Sequence, residues 1–159
     1  MRFKRHIRIV GLLAVLAVGA AACSSGGSTS SGFKPTPGKN GLTLYSWKTS
    51  YGTAVGSIDG VVAYADKNES ASKTECTGSC TNTWHPWVTD GAAVHAAANS
   101  GVQSSLIGTV KRSDGSTQIT YGGHPLYLYA HTKDALQANA QGAGGVWYIV
   151  GLDGNLITS

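Results

Sequence analysis

The sequence has 159 residues, 42% of them apolar, which suits one globular domain or at most two small ones. With 13% charged residues, four Trp and seven Tyr it falls outside the disordered class, and its 22 Gly argue against a bundle of long helices. The formal charge of +4 would suit nucleic acid or an anionic surface, but only if it belongs to the folded domain.

It does not belong there. Arg2, Lys4, Arg5 and Arg8 precede an apolar or Gly run from Ile9 to Ala22, the layout of an export signal over residues 1–22. Fourteen residues at ~1.5 Å each span ~21 Å, short of the ~30 Å hydrocarbon core, so a stable transmembrane helix is disfavoured. With no Arg-Arg pair, the general secretory route is expected. Ala20-Ala21-Ala22-Cys23-Ser24 resembles a bacterial lipobox, with Ala20 where Leu is usual; the alternative is an ordinary cleavage site beside an incidental Cys. Two or three acyl chains on Cys23, palmitate among them, would hold the protein firmly on a membrane. In a cell with two membranes, Ser24 would favour the outer one. Cleavage removes four of twelve cations, and the remaining 12 − 4 = 8 balance eight Asp and Glu, all beyond Cys23. The mature chain is neutral, and no nucleic-acid partner is expected.

Residues 23–40 hold the lipidated Cys and a Ser, Gly, Thr and Pro tether, with an expected span of ~20–25 Å. A β domain is expected over 41–159. Its first strand candidates are Leu42–Trp47, Thr53–Val55 and Val61–Ala65, with an Asp59-Gly60 turn. Cys76 and Cys80 follow. In an oxidising compartment a disulfide is the first expectation, closing a short loop that contributes ~2 kcal/mol. The alternative is a redox or metal pair, with His85 completing a copper or haem site; Cys-x3-Cys lacks the usual zinc and covalent-haem spacings.

The second half predicts a meander: Leu106–Arg112, an Asp114-Gly115 turn, Thr117–Tyr121, a Gly122-Gly123 turn, and Leu126–Ala130. A hairpin of Val146–Val150 and Asn155–Thr158 around Asp153-Gly154 closes the chain. Alternation is partial, leaving the buried face ambiguous. Ala92–Ala98 and Ala135–Gln141 are the helix candidates, both short. Thr53–Val55 and Val62–Ala65 can be laid on Thr117–Ile119 and Tyr127–Ala130 with a one-residue gap, which brings Trp84 near Trp147. This predicts an internal duplication, with repeats at about 41–90 and 105–158. The fold class is mainly β, two antiparallel-sheet repeats in one small domain.

Three elements carry a resemblance: Cys76-Thr77-Gly78-Ser79-Cys80 with Trp84-His85-Pro86-Trp87; Leu106-Ile107-Gly108-Thr109 through Asp114-Gly115 to Tyr121-Gly122-Gly123-His124-Pro125-Leu126-Tyr127; and Gly142 through Gly145-Val146-Trp147-Tyr148. Together they resemble the "secreted repeat of unknown function" lipoprotein family. The family's Tyr-x-Phe before its acidic loop appears here as Val62-Ala63-Tyr64, and the first Pro of its Trp-Pro-Pro as His85. The resemblance implies an exported, often lipid-anchored β domain of two repeats, with no agreed activity.

Other constellations are weak. Ser70-Ala71-Ser72-Lys73 matches the Ser-x-x-Lys of penicillin-binding enzymes, but its partner motifs are absent and the string lies in a polar loop. His124 and His131 flank a strand ~20 Å apart if extended, too far to share a metal. His95 stands alone. Asp66, Glu69 and Asp134 lack the spacing of a calcium loop and are expected in solvated turns. Tyr45, Trp47, Tyr64, Trp84, Trp87, Tyr121, Tyr127, Tyr129, Trp147 and Tyr148 should mostly form core, a few serving as a glycan or partner platform. With no nucleophile–base–orienter set, the expected function is a non-catalytic binding or structural module, anchored to the envelope membrane and holding an unknown protein or glycan. The alternative is a copper or haem accessory using Cys76, Cys80 and His85.

Overall fold

A computed structural model describes residues 41–159; the export signal, Cys23 and the tether lie outside the described residues. The chain forms ten short strands: β1 (Leu42–Thr49), β2 (Gly52–Gly56), β3 (Tyr64–Asp66), β4 (Trp84–Pro86), β5 (Val94–Ala96), β6 (Ile107–Lys111), β7 (Thr117–Tyr121), β8 (His124–Pro125), β9 (Tyr127–Tyr129) and β10 (Trp147–Ile149). They make three sheets, in the orders β2-β1-β5, β10-β3-β9-β4 and β6-β7-β8. All pairings between them are antiparallel except that of β1 with β5. The mainly β expectation holds, and each predicted turn is present where Gly supplies a positive φ: Gly60, Gly115, Gly122 with Gly123, and Gly154. Gly122 also requires its lack of a side chain, because a Cβ there would collide with the backbone of Gly154.

The two halves follow one hydrogen-bonding plan. The hairpin pairing of Tyr45 with Gly56 and Trp47 with Ala54 is repeated by Gly108 with Thr120 and Val110 with Gln118. Val55 N–H donates to Val150 and Ala63 N–H to Val55, as Ile119 N–H donates to Trp87 and Leu126 N–H to Ile119. Lys67 N–H bonds to Val146, and Ala130 N–H to Thr83. In each pair of bonds, the partner from one half is matched by its counterpart from the other. The halves therefore complete each other rather than packing as separate units.

The central sheet shows this most clearly. Its middle strands, β3 and β9, meet at Tyr64 and Tyr127, and each takes its outer neighbour from the opposite half. Ile149, Tyr148 and Trp147 lie against Tyr64, Ala65 and Asp66, as Pro86, His85 and Trp84 lie against Tyr127, Leu128 and Tyr129. Trp84 and Trp147 are counterparts, as the sequence suggested. Tyr64, however, corresponds to Tyr127, two places from the expected match with Tyr129. The tyrosine of the repeat is thus retained in the first half, and Asp66 replaces its second aromatic.

Both faces of this sheet are buried. Ala63, Ala65, Leu126 and Leu128 face an aliphatic core with Leu44 and Ile119. Tyr64, Tyr127, Trp84 and Trp147 face an aromatic one. Two buried faces explain the weak alternation of the sequence, since neither side needs polar residues. The predicted third strand of the meander, Leu126–Ala130, contains β9, which joins the central sheet between β3 and β4 rather than β7; β7 instead pairs with the short β8 just before it.

Both helix expectations are overturned. Ala92–Ala98 contains β5, parallel to β1 with Leu42 opposite Val94 and Leu44 opposite Ala96. Ala135–Gln141 forms turns, with Leu136 at φ 66°. Alanine favours helix, but seven residues are too few to offset nucleation, and an open strand edge or a buried contact decides instead.

Trp84 and Trp147 stack with ring centroids 4.0 Å apart and planes 9° from parallel. Replacing either by Ala should destabilise the protein by about 3–5 kcal/mol in urea unfolding. The double-mutant cycle should show coupling of about 0.5–1.5 kcal/mol between them; strict additivity would contradict the role of the stack in joining the halves.

Candidate functional site

The chemistry-bearing residues of the first half converge on the loop between β3 and β4. Cys76 and Cys80 form a disulfide across a 3-10 turn, with Cα atoms 5.3 Å apart. Gly78 within it adopts φ 56°, the left-handed conformation this tight ring uses. With the sulfurs joined to each other, neither is a thiolate ligand in this form. His85 sits half-buried on β4, opposite Leu128.

Behind the disulfide lies a buried polar network. Glu69 is 4% exposed; its Oε1 accepts the N–H groups of Glu75 and Cys76 at 2.5 and 2.8 Å. The Tyr127 hydroxyl donates to Glu69 Oε2 at 2.7 Å. Arg112 donates through Nη1 to Gln118 Oε1 at 2.6 Å and to the Tyr127 hydroxyl at 3.2 Å, and through Nη2 to the Cys76 carbonyl at 2.5 Å. Gln118 Nε2 in turn donates to Leu126 O. The carboxylate and guanidinium are thus both buried and joined through one phenol, satisfying charges that would otherwise be costly to desolvate. Burial, then the hydrogen bond and charge of Glu69, push the Tyr127 phenol well above its usual range.

Glu69 is therefore not in a solvated turn, as its sequence neighbourhood suggested. Arg112, just past β6, keeps a 3.5 Å contact from Nε to Asp114 Oδ2 in its hairpin but turns Nη1 and Nη2 inward. No local pattern marks either residue, because each is held partly by the other half of the chain: Glu69 by Tyr127, and Arg112 by the Cys76 carbonyl.

Above the network stands the aromatic cluster. Tyr64 and Tyr129 flank Trp84 at 5.4 and 5.1 Å, and Tyr127 meets Trp147 edge-on at 5.0 Å. These rings are core or half-buried, as are the other aromatics named above. The exposed aromatic among the described residues is Tyr51, in the β1–β2 turn, which the sequence did not single out. Burial pushes the Tyr64 phenol up to about 12, although its oxygen accepts the Ala140 N–H.

The remaining candidates are dispersed. Ser70 and Lys73 exchange backbone hydrogen bonds in a tight turn, off any helix, and Lys73 Nζ pairs with Glu75 at 2.7 Å. His124 pairs in register with Tyr121; burial lowers its pKa and leaves its Nδ1 without a hydrogen bond. His131 lies edge-on to Tyr129 at 5.4 Å, and His95 is exposed on β5. Asp66 Oδ1 caps the Asn68 N–H, and Asp134 Oδ2 accepts from Gln137. Among the described residues, no three His, Cys, Asp or Glu gather in a way that could hold a metal ion.

Residues 108–151 match the family described as "Secreted repeat of unknown function". The match begins within β6 and ends just past β10, so it covers the second half's share of the central sheet. No curated protein matches the chain, and no solved structure does.

Two outcomes are expected of this site. Arg112→Met should cost about 3–5 kcal/mol in urea unfolding, because it leaves the Glu69 carboxylate buried without its counter-charge. Stability should hold below pH 10.0, the ordinary Tyr value, then fall as pH rises to about 12. Over that window the unfolded phenol ionises while folded Tyr64 keeps its proton. Tyr64→Phe should flatten this part of the alkaline profile; an unchanged profile would contradict the assignment.

Proposed function

Because the second half carries a secreted repeat, we propose that the protein is an exported lipoprotein anchored through Cys23, whose β domain is a non-catalytic binding or structural module of the envelope. The observation that carries this reading is how the polar groups inside the fold are used. Glu69, Tyr127, Arg112 and Gln118 bond to one another and to backbone. They lie under the surface, where they stabilise the Cys loop and offer no group to a substrate. A catalytic centre needs the opposite, with reactive groups converging on a cleft.

Among the described residues, no helix is long and apolar enough to cross a membrane. Attachment is assigned to acyl chains at Cys23, which in pairs or threes give stable anchoring. A copper or haem accessory role through Cys76, Cys80 and His85 would first require reduction of the disulfide. The module reading needs no such step, and its partner is a protein or glycan of the envelope.

Cys23→Ala should move the protein from the membrane fraction to the soluble exported fraction, followed by immunoblotting of fractionated cells. Retention of the variant in the membrane would overturn the anchor.

A further inference from the structure

Tyr51, Ile58 and Leu136, 45%, 62% and 43% exposed, are the exposed large apolar residues among those described. They come from separate segments, and two of them, Tyr51 and Leu136, meet at one place. Tyr51 and Leu136 line the same surface groove, of about 410 Å³, together with Ser50, Gln137, Ala138 and Asn139. Leu136 is joined to the turn that carries Ile58, since its N–H donates to Gly60 O at 2.8 Å.

Leu136 is unusual twice over. Its φ of 66° is a left-handed conformation that costs a branched L-residue roughly 1–2 kcal/mol. That strain holds an apolar side chain in water rather than in the core. The side chain lies partly against Gly60 and stays 43% exposed; a strained surface residue is a mark of function when something else at the site calls for it. Here Tyr51 does. The corresponding turn between β6 and β7 carries the polar Asp114-Gly115, so the repeat plan itself asks for no aromatic at this position.

We propose that this groove binds a neutral pyranose unit of an envelope polysaccharide, an inference that rests on the domain being a binding module. An exposed phenol ring offers its face to the apolar C–H side of a sugar. The amides of Gln137 and Asn139 and the hydroxyl of Ser50 match sugar hydroxyls as donors and acceptors. Gln137 is already oriented, its Nε2 donating to Asp134 Oδ2 at 3.1 Å. No charged side chain lines the groove, so a phosphate, carboxylate or nucleotide would find no counter-charge.

Two exposed apolar side chains, Tyr51 and Leu136, around a small groove fall short of the ~800 Å² per partner of a stable protein interface.

The test is calorimetric titration of the full-length protein with tetrasaccharides of β-1,4-linked glucose and of β-1,4-linked N-acetylglucosamine. At least one should bind saturably, Tyr51→Ala should weaken it about tenfold or more, and Tyr51→Phe should keep it. Leu136→Gly should weaken binding while raising the unfolding midpoint, because it removes both the contact and the strain. Absence of binding by both sugars, or undiminished binding by Tyr51→Ala, overturns the proposal. A photo-crosslinker at position 51 that captures a protein in intact cells would overturn the sugar and leave the binding module standing. Release of new reducing ends from a bound sugar would do the reverse, keeping the sugar site and overturning the non-catalytic reading.

Discussion

The architecture turns on the meeting of β3 and β9 at Tyr64 and Tyr127, beneath the stacked rings of Trp84 and Trp147. Each half of the chain contributes one inner and one outer strand to the central sheet, in alternation. A half alone would leave strand edges unpaired and its Trp exposed, both of which are unfavourable in water. Union removes both penalties at once, and the aliphatic and aromatic cores then form on opposite faces of the same sheet.

The same plan gives the two halves corresponding loops, residues 67–83 between β3 and β4 and 130–146 between β9 and β10. They are held by different means. The first is closed by the disulfide and tied down by Glu69, Arg112 and the Tyr127 hydroxyl. The second is held by Ala140 N–H on the Tyr64 hydroxyl and by Gln141, whose Oε1 accepts Ile149 N–H and whose Nε2 bonds to Ile157 O. Equivalent tyrosines thus reach opposite loops, one as donor to a carboxylate and one as acceptor from backbone. The first loop is made rigid by buried charge and covalent closure. The second, which keeps a strained Leu136 at the surface, provides one wall of the groove.

Much of this was legible from residues close in sequence. The turns at Asp59-Gly60, Asp114-Gly115, Gly122-Gly123 and Asp153-Gly154 follow from local backbone preference, and the Cys pair from spacing and compartment. The correspondence of Trp84 with Trp147 was visible as well. The match of Tyr64 to Tyr127 was not, because a two-residue slip keeps every side chain on the same face and changes no pattern. The two Ala-rich segments read as helix from propensity alone, while the free edge of β1 and the turn against Gly60 were invisible.

The sequence by itself determined a β fold punctuated by Gly, a Cys pair suited to a disulfide, and the kinship of its second half. Those properties depend on composition and on neighbours a few residues apart. Tertiary structure alone decided that Glu69 and Arg112 are buried together and that each half supplies the outer strand of the other. It also decided that Tyr51 and Leu136 share a surface groove. These depend on contacts between residues tens of positions apart, whose free energy arises only when the two halves close on each other.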